Sequence, residues 1–176
     1  MALPVSRNRT YGPGSTIASA DLNDLMDQVI DGKHGALSLM IHPATGINTD
    51  GNVVQQPNYW EHGGGAPPPG EIECPIELPV GTRVDGIIIY CEQATDDQVE
   101  AEPFKTDADA DSTLDSIATA KQSGTGAGHK EIVFTTADTG FPYTVGDGDT
   151  FQVRVTLEAG GSATRYKGIK LTIVRP

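Results

Sequence analysis

Strict alternation between apolar and polar residues constrains this chain of 176 residues more than any other feature. It is clearest in residues 71–78 and 151–157, where every second side chain is apolar. Because successive side chains of a strand point to opposite faces, both segments predict half-buried β-strands. The apolar positions are Ile72, Cys74, Ile76, Leu78, Phe151, Val153, Val155 and Leu157.

Further strand patterns follow between and after these two segments. Residues 84–91 form a nearly continuous apolar run that indicates a central strand. Weaker patterns lie at 99–104 and 132–134, and the stretch 151–174 predicts an antiparallel hairpin. Seven or eight strands with turn-forming glycines and prolines between them predict that residues 71–176 form an antiparallel β-sandwich, jelly-roll-like or immunoglobulin-like.

Residues 1–35 have a different pattern and predict an N-terminal arm with one short amphipathic helix. Their apolar residues recur at helical spacing and form a single stripe. A helix of three turns is marginal in water by itself, so we expect the stripe to pack on the chain's own sandwich or on a neighbouring subunit. The stripe consists of Leu22, Leu25, Met26, Val29 and Ile30.

Residues 36–70 predict a Gly/Pro-rich linker with one short strand near Leu37–Ile41. The run GGGAPPPG at 63–70 has the composition of a linker. Tyr59 and Trp60 stand out in this segment, and two roles are open for them. Trp60 attaches the linker to the surface of a domain, or the two rings stack on a ligand or partner.

Charge and hydropathy restrict the classes of partner. The formal net charge is −12, and the chain lacks the basic patch that nucleic-acid binding requires, so no nucleic acid is expected. The first nine residues lack the apolar core of a signal peptide, and no apolar run is long enough to span a membrane. We therefore expect a protein that is made in a cytoplasm and binds no membrane.

Motifs for chemistry are sparse, so we expect no enzyme, no cofactor and no metal. The acids Asp107, Asp109 and Asp111 resemble the start of a calcium loop, but Ser112 and Ala118 stand where the turn glycine and the bidentate glutamate belong. An acidic solvated loop is the favoured interpretation. His34, His42, His62 and His129 are predicted to be exposed loop residues. Cys74 and Cys91 are predicted to be buried, reduced thiols.

Three stretches resemble bacteriophage virion proteins. They are Arg7–Ser15, the segment Ser19–Leu25 with its S-x-DLN-x-L sequence, and the strand Gly148–Val155. The resemblance implies an oligomer, often a trimer, that is attached to a capsid or tail through its N-terminal arm. It places Arg7, Arg9 and Tyr11 of the arm, together with the apolar stripe, in the anchoring and oligomerisation interface.

The expected function is therefore that of a non-enzymatic virion structural protein, made in the host cytoplasm. It would decorate, cement or project from a capsid or tail, with itself and the major capsid or tail proteins as partners. The alternative is a β-sandwich that binds a carbohydrate or a cell surface, with Tyr59, Trp60 or Tyr143 as stacking platforms.

Overall fold

The computed structural model describes residues 36–63, 68–93, 98–107, 114–158 and 164–176. All of them belong to the second of the two compact units into which the chain divides, Gly35–Pro176. The predicted helix and the other arm residues lie outside the described residues.

Thirteen strands and one 3-10 helix make up the described part. The strands are β1 (Leu37–Ile41), β2 (Ile47–Asn48), β3 (Val53–Gln56), β4 (Tyr59–His62), β5 (Gly70–Ile76), β6 (Arg83–Gln93), β7 (Val99–Asp107), β8 (Leu114–Ser116), β9 (Lys121–Gln122), β10 (Gly128–Phe134), β11 (Tyr143–Thr144), β12 (Asp149–Leu157) and β13 (Arg165–Val174). The 3-10 helix, Pro43–Thr45, follows β1.

The strands form two antiparallel sheets. Sheet A has the order β10-β6-β13-β4-β3, with β1 also paired to β13 and β11 to β6. Sheet B has the order β2-β5-β12-β7-β8, with β9 also paired to β7. Apolar side chains from both sheets form one buried core. The predicted all-β, antiparallel sandwich is therefore confirmed.

The alternating patterns correctly identify the buried side of the long strands. In β5, Ile72, Cys74 and Ile76 are buried, whereas the residues between them are half-buried or exposed. In β6, buried and half-buried residues alternate strictly from Ile87 to Gln93. Burial of these apolar side chains drives the two sheets together.

The stretch 151–174 does not form the predicted hairpin. Strand β12 lies in sheet B between β5 and β7, and β13 lies in sheet A between β6 and β1 with β4. Both strands alternate, and their apolar sides face the core from opposite sheets. Alternation specifies which side of a strand is buried but does not specify its neighbours.

Residues 36–63, predicted to belong to a linker with a single short strand, contribute four strands. β1 pairs with β13, β2 pairs with β5, and β3 with β4 forms a hairpin whose second strand pairs with β13. These strands have only two to five residues, and three of the four contain at most one buried residue. An alternation of apolar and polar residues over so few positions is too short to identify a strand from the sequence.

The two cysteines are free and buried, as predicted. The Cys74 thiol of β5 lies 3.4 Å from the hydroxyl of Tyr166 on β13, so this contact joins the two sheets inside the core. Burial raises the pKa of the Cys74 thiol to about 11. A thiol with so high a pKa stays protonated at neutral pH and is unreactive, which fits a purely structural role.

Candidate functional site

Trp60 is a core side chain, which corrects the interpretation of its ring as a ligand-stacking platform. Only 5% of the residue is exposed. Its indole N–H donates a hydrogen bond of 2.7 Å to the carbonyl oxygen of Pro43 in the 3-10 helix. The ring therefore attaches residues 43–60 to the sandwich, which agrees with the first of the two roles left open by the sequence.

The other two predicted platforms are covered by neighbouring side chains. The guanidinium of Arg165 lies over the ring of Tyr59, 4.6 Å from its centroid. The ring of Tyr143 is stacked on that of Phe151 at 5.8 Å, and its hydroxyl is bonded to Asp149. One face of each ring is therefore occupied by a neighbouring side chain.

The predicted metal and histidine sites have mixed outcomes. The described residues contain no group of three or more side chains that could hold a metal ion. Asp109, Asp111 and the side chain of Asp107 lie outside the part that can be described. His42 and His129 are exposed as predicted. His62 is not, because it is only 4% exposed and its Nε2 lies 3.2 Å from the carbonyl oxygen of Pro68.

The interface predicted for the arm lies outside the described residues and remains a prediction. No helix among the described residues is long and apolar enough to cross a membrane.

The outward surface of sheet A, which we call face A, carries an exposed apolar row. Met40, Lys170, Ile88 and Val133 lie side by side on β1, β13, β6 and β10. Met40 is 61% exposed and Val133 is 38% exposed. The aliphatic part of the lysine can continue the apolar surface between them.

The charges of face A are balanced. Arg165 lies near Glu61 and Glu92, and the ammonium of Lys167 also pairs with Glu92. These contacts and the nearby His129 lower the pKa of the Glu92 carboxyl, with the hydrogen bond from Lys167 as the largest cause. In a protein with a net charge of −12, this face has little net charge to repel an acidic partner.

The outward surface of sheet B, which we call face B, is acidic. Arg154 of β12 is flanked by glutamates of β5 and β7 in the adjacent strands. Its guanidinium lies 3.1 Å from Glu73 and covers the ring of Phe104 at 4.8 Å. The same guanidinium lies 3.9 Å from Glu71, and Glu102 is its cross-strand partner on β7.

A shallow groove of about 490 Å³ lies at one end of face A and contains Tyr90. Tyr90 is half-buried on β6, and Glu131 of β10 is its direct cross-strand partner. A register shift in β13 between Tyr166 and Gly168 places Lys167 at the same level. The groove is lined by Tyr90, Cys91, His129, Lys130, Glu131 and Lys167.

Sequence reasoning missed this groove because Tyr90 lies within the apolar run 84–91, which indicates a central strand. The strand is central, but its alternate residues 88, 90 and 92 face outward. The glutamate at position 92, two residues after Tyr90, is the signal that could have revealed the outward side.

A carboxylate at the start of β12 stabilises the turn that precedes it. Asp149 accepts hydrogen bonds from the Tyr143 hydroxyl at 2.6 Å and from the Gly146 amide at 3.0 Å, and Lys105 lies 3.7 Å away. The Tyr143 hydrogen bond is the largest cause of a lowered pKa for the Asp149 carboxyl. Burial raises the pKa of Tyr143, so its hydroxyl remains the donor.

The variant Asp149→Asn is expected to lose about 1–2 kcal/mol of the free energy of unfolding at pH 7. Because the folded-state pKa of Asp149 is lowered, its contribution is present above the unfolded pKa of about 4 and is lost as the pH falls further. The difference from the wild type should therefore shrink between pH 5 and pH 2.5. Urea unfolding at several pH values measures it, with Asp147→Asn, which lacks these contacts, as the control. A difference that does not change with pH would contradict the assignment.

Comparisons with known proteins show no family for this chain. No protein-family model and no curated protein matches the sequence. Among solved structures, the chain is similar to the native structure of a family 35 carbohydrate binding module from Clostridium thermocellum. The TM-score is 0.48 and the identity 12%, over 77% of this chain and 98% of that one. A likeness of this extent assigns neither a family nor a ligand.

Proposed function

We propose that this protein is a non-enzymatic structural protein of a bacteriophage particle. Residues 1–35 attach it to a capsid or tail and hold several copies together, with a trimer as the favoured state. The sandwich formed by residues 36–176 then lies on the surface of the particle, where the β1 side of face A, around Met40, contacts neighbouring subunits or particle proteins.

The observation that carries this proposal is the difference between the two faces of the sandwich. Face A has exposed Met40 and Val133 and balanced charges, whereas on face B the guanidinium of Arg154 lies between the carboxylates of Glu71 and Glu73 and beside Glu102 of the next strand. Contiguous exposed apolar surface is a mark of protein–protein contact. The acidic face is suited to remain in water, because burying its excess carboxylates would be costly.

The arm supports the same function from the sequence. Its resemblance to the N-termini of virion proteins rests on Arg7–Ser15 and Ser19–Leu25. A short helix with one apolar stripe gains stability only by packing, and packing between copies satisfies that need. The two basic residues Arg7 and Arg9 give the arm a locally positive charge that can dock on an acidic particle surface.

The alternative, a carbohydrate-binding module that stacks sugars on Tyr59, Trp60 or Tyr143, has less support. Trp60 is buried, and the other two rings are covered by Arg165 and Phe151. One face of each of these two rings is therefore not free for stacking on a sugar.

Light scattering on the full chain tests the proposal. The wild type is expected to be a closed oligomer, and the variant Leu25→Asp with Val29→Asp is expected to be a folded monomer. Two carboxylates in an apolar interface each cost several kcal/mol, so association should weaken at least about a hundredfold.

The matched control is Gln28→Asp, which adds a carboxylate away from the predicted stripe and should leave the oligomer intact. Circular dichroism checks that the sandwich is folded in each variant. A monomeric wild type, or an oligomer that persists in the double variant, would contradict assembly through the arm.

A further inference from the structure

We propose that the groove around Tyr90 binds a neutral saccharide unit, with the sugar ring stacked on the tyrosine and its hydroxyls bonded to Glu131 and Lys167. This site goes beyond the proposed role in the particle. It lies wholly on the sandwich and requires neither the arm nor an oligomer.

Tyr90 supplies the apolar platform of the site. Its side chain faces outward from β6, is half-buried and lines the groove. One face of a sugar ring presents only C–H groups, which pack well on an aromatic ring. A rigid, amphipathic tyrosine gives such contact at a small cost in conformational entropy.

Glu131 supplies hydrogen-bond acceptors next to the ring. It is the direct cross-strand partner of Tyr90, and such partners have Cβ atoms about 5 Å apart on the same face. Glu131 is exposed, and its carboxylate forms no hydrogen bond or ion pair with the described residues. It is therefore free to accept hydrogen bonds from a pair of sugar hydroxyls.

Lys167 supplies donors on the other side of Tyr90, and a β-bulge places it there. In β13, Tyr166 pairs with Cys91 and Gly168 pairs with Tyr90, so Lys167 is the extra residue. Gly168 has φ +132°, and a Cβ there would lie 2.9 Å from the carbonyl oxygen of Ile41, so the bulge requires glycine. Bulges redirect side chains and recur beside binding sites.

The charge balance of the groove favours a neutral ligand. The ammonium of Lys167 is paired with Glu92, and that of Lys130 donates to the carbonyl oxygen of Thr125 at 2.9 Å. The groove lining thus combines Lys130, Lys167 and His129 with Glu131, and Glu92 pairs with Lys167 beside it. Sugar hydroxyls both donate and accept hydrogen bonds, so a ligand without a net charge can bond to the acids and to the bases. The volume, about 490 Å³, falls within the range of small-molecule sites, about 300–1,000 Å³.

A printed array of neutral and acidic oligosaccharides probed with the full-length protein tests the proposal. We expect binding to neutral glycans. The strongest of them is then titrated against the protein by NMR, with chemical-shift changes expected at residues 90, 131 and 167. Tyr90→Ala should weaken that binding at least about tenfold, because it removes the stacking platform.

Three further variants separate stacking from loss of folding. Tyr90→Phe keeps the ring and should bind within about threefold of the wild type, and Glu131→Gln should bind more weakly than the wild type. Val54→Ala changes an exposed apolar residue of β3, far across the same sheet, and should bind normally. Absence of binding to every neutral glycan, binding only to acidic glycans, or equal binding by Tyr90→Ala would overturn the proposal.

Discussion

Replacing Trp60 with alanine is expected to lower the free energy of unfolding by about 3–5 kcal/mol, the usual cost of removing a large aromatic side chain from a core. The ring is almost fully buried and its N–H satisfies the carbonyl oxygen of Pro43. Gly46 lies against it, since a Cβ on that glycine would come within 3.2 Å of the indole nitrogen. The loss should therefore loosen β4, the 3-10 helix and the chain between them.

Urea unfolding followed by circular dichroism measures this change. Tyr59→Ala is the matched control. The Tyr59 ring is only half-buried, so its removal should lower the free energy of unfolding far less. Trp60→Phe fills part of the space but lacks the N–H, so its effect should fall between the two. A stability loss below about 1 kcal/mol for Trp60→Ala would show that the indole is not the core contact described above.

Replacing Gly140 with alanine should cost about 3 kcal/mol or more. This glycine has φ +90°, a conformation that costs other residues about 1–2 kcal/mol. A Cβ would also lie 1.7 Å from the backbone carbonyl oxygen of Ile117, so the chain must move. Phe141, the next residue, is buried against Phe134, and that movement would disturb the core as well.

The control for this variant is Gly51→Ala. Gly51 has a similar φ of +81°, but apart from its chain neighbours no atom lies within 4 Å of the place that a Cβ would occupy. The Gly51→Ala variant should therefore lose only the free energy that a positive φ costs a residue with a side chain, about 1–2 kcal/mol. Thermal unfolding of the two variants gives the difference that belongs to the contact with Ile117. Equal losses at the two positions would refute this explanation.

The long strands were predictable because their alternation extends over many residues. The pattern of Ile72, Cys74 and Ile76 identifies both the strand and its buried side. The neighbours of β12 and β13 were not predictable, since pairing depends on contacts between segments that are distant in the sequence. The same limit applies to residues 36–63, whose short strands are specified mainly by the sheets that they join.

The candidate site was predictable only in part. A single tryptophan beside a tyrosine suggested an exposed platform, yet the depth of the core decided otherwise for Trp60. Tyr90 stands between the apolar residues Ile89 and Cys91, so the sequence pattern does not indicate which side of the strand it faces. Only the assembled sheet shows that it faces outward next to Glu131 and that a bulge brings Lys167 to it.

The position of β13 has a consequence for how the protein folds during synthesis. This strand is the last of those described, and it pairs with β6, with β4 and with β1, the first described strand. Sheet A therefore cannot close until residue 174 has left the ribosome. Until then, β1 and β4 lack the strand that pairs with them on the β13 side. Their apolar residues must be kept from water by contacts other than those with β13. Pairing between β1 and β13 joins segments that are far apart in the sequence, so folding should be slow for a domain of this size.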